Sequence, residues 1–182
     1  MANTDARFGF RPGGKVGGNP DNGALSIYAI DDGESSTMFQ GDLVKFASGY
    51  ITDAAVADAG LMVFAGLKYV NQTTGKPTFK NYYDGVDLNV DAEAFIYDDP
   101  YQVYEAQGDT AATAAMIGTY MDHIETHDGS TTTGISGDEI DTSDTSTTLS
   151  GVKYLGLAQT PDNSLGVHNV LRCFIAECAH VN

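Results

Sequence analysis

The apolar and polar positions of this chain read mostly as short strands separated by turn residues. Ala24 to Ile30 sets Leu25, Ile27 and Ala29 against Ser26, Tyr28 and Ile30, just behind the turn signal Asn19-Pro-Asp-Asn-Gly23. A folded body is therefore expected from about residue 23. Asp42 to Ile51 carries Leu43, Val44, Phe46 and Tyr50. Leu61 to Val70 is almost continuously apolar, as expected of a strand buried on both faces, and these two segments should sit centrally. Glu93 to Tyr97 and Gln102 to Ala106 flank Asp98-Asp-Pro100, where the proline blocks ladder pairing, so they predict a hairpin or a strand bend. Val152 to Ala158 and Val167 to Cys178 complete the set. The pattern predicts an all-β, mainly antiparallel fold, a β-sandwich or a jelly-roll-like barrel, with an extended N-terminal arm over 1–22 and a β-rich body over 23–182.

Two stretches break the pattern. From Ala112 to Ile124, Ile117, Tyr120, Met121 and Ile124 fall on one face of a helix behind the possible cap Asp109, while Gly118 and several threonines favour a strand or a long loop. From Thr126 to Ser150, 13 of 25 residues are serine or threonine. That composition predicts an exposed functional loop or a polar edge hairpin.

Charge is distributed unevenly. Between Asn81 and Val152 the chain has no lysine or arginine but fifteen aspartates and glutamates, within a net charge of −16. Three of the nine basic residues, Arg7, Arg11 and Lys15, lie in the glycine-rich N-terminal segment beside Phe8 and Phe10. An acidic body with a basic, aromatic arm reads as an assembly component that inserts its arm into a partner, so Arg7, Phe8, Phe10, Arg11 and Lys15 are the candidate interface residues. The acidic surface excludes nucleic acid as a partner, because phosphate neutralisation needs clustered Lys and Arg. The longest apolar run, Leu61 to Leu67, is far short of the roughly 20 residues a membrane helix needs, so no membrane partner is expected. Met1-Ala-Asn-Thr-Asp5 has neither a charged nor an apolar leader region, which points to synthesis in a cytoplasm.

Candidate chemistry is sparse. His123 and His127 would share one face of a helix as a metal pair, but two solvated histidines account for them better. Asp31-Asp-Gly-Glu34 and Asp138-Glu-Ile-Asp141 lack EF-hand spacing. Arg11-Pro-Gly-Gly-Lys-Val-Gly-Gly18 lacks the end of a phosphate loop, and no serine sits in a Gly-x-Ser-x-Gly elbow. Catalytic residues, metal and cofactor are thus all expected to be none. Cys173 and Cys178 would lie about 16 Å apart on one strand, too far for a disulfide, so both are expected to be buried thiols. Asn71-Gln-Thr73 is expected to be a turn.

The opening Met1-Ala-Asn-Thr-Asp-Ala-Arg-Phe-Gly-Phe-Arg-Pro12, followed by Asn22-Gly-Ala24, resembles the start of a family of tailed-bacteriophage capsid decoration or cement proteins. The likeness continues through Phe64-Ala-Gly-Leu-Lys-Tyr-Val70, Gly75-Lys-Pro77, Tyr82-Tyr83, Tyr97-Asp-Asp-Pro100, Gln102-Val-Tyr-Glu105 and Gly134-Ile-Ser-Gly-Asp-Glu-Ile-Asp141. It then runs through Leu155-Gly-Leu157, Pro161-Asp-Asn163 and Leu165-Gly166 to the last strand. Arg7 and the two cysteines depart from the family pattern. The resemblance implies a non-enzymatic virion protein, made in the bacterial host's cytoplasm, that binds the outer surface of a shell built from a major capsid protein. It also implies a closed homodimer or homotrimer. A connector, tail-tube or minor shell protein is the alternative, and a metal-dependent binding domain is a more distant one.

Overall fold

Leu61 to Val70 does become the middle of a sheet. The computed structural model describes residues 3–18, 23–85, 88 and 92–180; the turn signal at 19–22 falls outside them. One sheet has the order β2 (Ser26–Ile30), β9 (Ala92–Tyr97), β6 (Met62–Val70), β4 (Leu43–Ala47), β5 (Tyr50–Asp53), with β7 (Pro77–Lys80) paired to the far half of β6. A second, six-stranded sheet runs β1 (Arg11–Lys15), β10 (Gln102–Gln107), β14 (Val170–Ile175), β13 (Val152–Leu157), β11 (Tyr120–Ile124), β12 (Glu139–Ser146). A two-stranded piece pairs β3 (Met38–Phe39) with β8 (Tyr82–Tyr83). The pairings between these strands are antiparallel. The protein is an all-β, antiparallel sandwich.

Alternation along the central strands divides two cores. Leu43 and Val63 point between the sheets with Tyr104, Tyr154, Leu171 and Cys173, whereas their neighbours Val44, Met62 and Phe64 point to the other face with Ile30, Met38 and Ile96. The first sheet is therefore apolar on both sides, which explains why Leu61 to Val70 lacks alternation. At Gly66 the register slips against β9, and a Cβ there would lie 2.8 Å from the Lys80 carbonyl. The slip brings Leu67 onto the same side as Phe64. Asp98-Asp-Pro100 is a bend that carries the chain from β9 in one sheet to β10 in the other, with Tyr101 N donating to Asp99 Oδ1 at 2.8 Å.

Of the two ambiguous stretches, Ala112 to Ile124 is not an α-helix. It holds one 3-10 turn, Ala114–Met116, and then β11. The positive φ of Gly118 and the pairing of β11 with β12 and β13 outweigh the helical spacing. The Ser/Thr-rich region is a loop followed by β12, which pairs with β11 and forms the edge of its sheet. Its middle, Ser136 to Ile140, is nevertheless buried. Cys173 and Cys178 are free, buried thiols, and Asn71 caps the β6–β7 turn by accepting from the amides of Thr73 and Thr74. No helix among the described residues is long and apolar enough to cross a membrane.

Candidate functional site

The N-terminal segment, expected as a free arm, lies along the body over residues 3–18. Asn3 Nδ2 donates to the carbonyls of Ser164 and Val167, both at 2.9 Å, and Ala6 N donates to Gln107 Oε1 at 2.9 Å. Phe10 N donates to the Gly41 carbonyl at 2.8 Å. Arg11 to Lys15 then pairs with β10 as the edge strand. Pro12 and the irregular register before Gly14 blunt that edge against further pairing. The crossing requires glycine at position 9: its φ is +65°, and a Cβ would lie 2.4 Å from Ser136 Cβ.

The five candidate interface residues separate accordingly. Phe10 is 1% exposed and belongs to the core between the sheets. Arg7 Nε donates to Glu139 Oε2 at 2.7 Å, and Lys15 Nζ meets Asp99 Oδ2 at 2.6 Å with its side chain largely covered. These bases reach carboxylates of their own chain. Arg11 pairs with Glu105 at 2.7 Å while keeping 58% of its side chain exposed, and its guanidinium lies 4.7 Å over the half-buried Phe8 ring. Beneath this pair opens a slot of about 200 Å³ lined by Phe8, Phe10, Pro12, Phe64, Tyr97 and Ile135. Phe8 and Ile135 also wall a wider hollow of about 430 Å³ that is lined by Asp5, Arg7 and His127 as well.

On the other side of the same loops is an acidic pocket with Asp42, Asp53, Asp138 and Glu125. Burial pushes Asp42 up to about 6, against hydrogen bonds from the Ser136 hydroxyl and the Phe39 amide. Burial, then the charges of Asp42 and Glu125, push Asp53 up to about 7. Asp138 lies well above the ordinary carboxylate range for the same reasons, burial first and Asp42 second. The raised values favour the protonated forms of Asp42 and Asp53, which lessens mutual repulsion that burial would otherwise magnify.

The remaining candidates disperse. His123 is buried in β11, its Nε2 3.2 Å from the Ala54 carbonyl, and burial lowers its pKa. His127 lies beyond the strand, 3.4 Å from Glu139, so no helical pair forms. Asp31, Glu34 and Asp141 satisfy local turn amides and hydroxyls. Glu139 and Asp138 carry the site's electrostatics and are buried, although the Ser/Thr-rich composition around them predicts an exposed loop or a polar edge hairpin. Arg7 and Glu139 are 132 residues apart, so no local spacing signals their pairing. Comparison with protein-family profiles, curated proteins and solved structures finds no match for this chain.

Proposed function

We propose that the protein is a non-enzymatic structural component of a phage virion, a decoration or cement protein that binds the outer surface of a shell of major capsid protein. The observation that carries this reading is the seam at Arg11 and Phe8. A guanidinium stacked on a partly exposed phenylalanine, at the mouth of an apolar slot, supplies the residue types that anchor interface centres. The sequence likeness that runs from Met1 to the last strand supports the same reading. The acidic edge strand β12, with Asp141 and Asp144, suits a hydrated surface turned away from the shell. Such a protein acts by mass action: it binds assembled shell better than separated subunits and stabilises the shell by that difference.

The interface is thereby narrower than the five residues of the segment. Phe8 and Arg11 face outward, and Arg7, Phe10 and Lys15 hold the segment in place. The test is capture by stripped shells: the protein should bind at a copy number matching the shell subunits. A ring-limited distribution on particles would instead favour a connector or tail component, and no binding would overturn the proposal.

A further inference from the structure

We propose that Asp5, Glu139 and His168 form a divalent-metal site that pins the N-terminal segment to the sandwich. The three residues come from the segment, the start of β12 and the loop before β14, yet a carboxylate oxygen of each acid and a ring nitrogen of His168 lie within 4.8 Å of one another. Asp5 Oδ1 and His168 Nδ1 are 3.9 Å apart. Ligands at the ~2.1 Å bond lengths of zinc sit roughly 3.4 Å from each other in a tetrahedron, so small side-chain rotations close the site.

A second observation points to a missing ligand. Glu139 is 1% exposed, and its Oε1 has no hydrogen-bond partner. Nδ1 of His168 is likewise buried without a partner, and so are both amide atoms of the adjoining, fully buried Asn169. Among the described residues, every buried side-chain N or O atom in this condition apart from the Tyr154 hydroxyl belongs to these three residues. Buried polar groups are rarely left unpaired, and a carboxylate oxygen is among the most expensive to leave so.

The surrounding contacts leave the right atoms open. Arg7 takes Glu139 Oε2 at 2.7 Å and Asp5 Oδ2 at 3.5 Å, and His127 approaches the same Glu139 oxygen. Gln107 Nε2 donates to Asp5 Oδ1 at 3.2 Å. The acids are thus oriented from one side while Oε1 of Glu139 stays free, the arrangement by which outer groups orient metal ligands. Two carboxylate oxygens and one imidazole nitrogen suit zinc or manganese better than calcium, which takes oxygen ligands, or thiophilic ions.

The experiment is titration of the chelator-stripped full chain with Zn²⁺, read by calorimetry and by thermal unfolding. One ion per chain should bind and raise the melting temperature. Because Glu139→Gln places its change in a buried position and can unfold the protein, Asp5→Asn and His168→Ala are the deciding variants. Each should weaken Zn²⁺ at least tenfold and abolish the thermal shift, and His180→Gln, outside the cluster, should do neither. Absence of stoichiometric Zn²⁺ or Mn²⁺ binding, or binding that survives both deciding variants, would overturn the proposal and leave the unpaired atoms to buried water.

Discussion

Asp138 and Glu139 are neighbours in the chain and almost equally buried, 6% and 1% exposed, yet they solve the burial of a carboxyl group in opposite ways. Glu139 faces the N-terminal segment and receives Arg7. Asp138 faces the other side of the chain, where Asp42, Asp53 and Glu125 gather and where no ion pair with a base forms among the described residues. One acid is paired with a guanidinium, and the other has its pKa raised by burial and by the charge of Asp42. Lys45, Lys68 and Lys80 pair with acids elsewhere in the fold, while three of the nine bases, Arg7, Arg11 and Lys15, fasten the segment. The pocket beside it stays responsive to pH.

The largest effect should come from the fastening itself. Phe10→Ala removes a fully buried ring from between the sheets, and it should cost about 3–5 kcal/mol in chemical denaturation. A loss under about 1 kcal/mol would mean that the segment behaves as a free arm and that the contrast between its two sides does not exist. Arg7→Ala comes next. It leaves Glu139 buried without its base, and an uncompensated buried charge costs roughly 3 kcal/mol. Arg7→Ala combined with Glu139→Gln should recover most of that loss, and failure to do so would show that Arg7 acts through packing instead.

The opposite half of the comparison is sharpened by pH. Asp42 and Asp53 have folded values near 6 and 7 against an ordinary 3.8, and Asp138 is raised as well. A carboxyl with a raised folded pKa binds its proton more tightly when native. Its stabilising contribution is therefore full below about pH 4 and lost as pH rises through the folded value. Glu34, Asp58, Asp98 and Asp99, whose carboxyls are lowered, act the other way at the acid end, and buried His123, whose pKa is lowered, opposes the trend below about pH 6.5. Melting temperature should rise by roughly 5 °C from pH 8 to pH 5, and Asp42→Asn with Asp138→Asn should flatten that slope by stabilising the protein at pH 8. A slope that the double variant leaves unchanged would mean that the pocket carboxyls do not set it, and that His123 or other groups do.

These regions differ in how legible they were. Apolar patterning and turn residues located β2, β4, β6, β9, β10, β13 and β14. Alternation tracks burial in β9 and β14, and the continuous run of β6 reflects burial on both faces. In β2 the burial departs from the alternation, with Ile27 58% exposed and Ile30 buried. The short strands β3 and β8, with two residues each, are too brief to show a period. β1 reads as Arg-Pro-Gly-Gly-Lys, a linker by composition, because its strand conformation comes from the ladder of β10 rather than from its own propensities. The basic residues of the segment stand out in the sequence, but the carboxylates they pair with do not. Asp138-Glu139 looks like every other acidic pair in a polar loop, and only the chain's return past Gly9 and Gly41 covers it.

The smallest effect on stability should come where the effect on binding is largest. Arg11 is mostly exposed, so its pair with Glu105 is screened by solvent and Arg11→Ala should change folding stability by no more than about 0.5 kcal/mol. On a shell the same guanidinium, with Phe8 beneath it, would be removed from water at the centre of the contact, where truncation acts mainly on the off-rate. Arg11→Ala with Phe8→Ala should therefore speed release from stripped shells about tenfold or more, while Asp141→Asn with Asp144→Asn on the exposed edge strand leaves release unchanged. The acidic control is confined to these two because Asp138 and Glu139 are buried and would report folding instead. If the edge-strand substitutions release the protein and those at the seam do not, the shell contacts β12, and the outward face of the sandwich has been assigned to the wrong side.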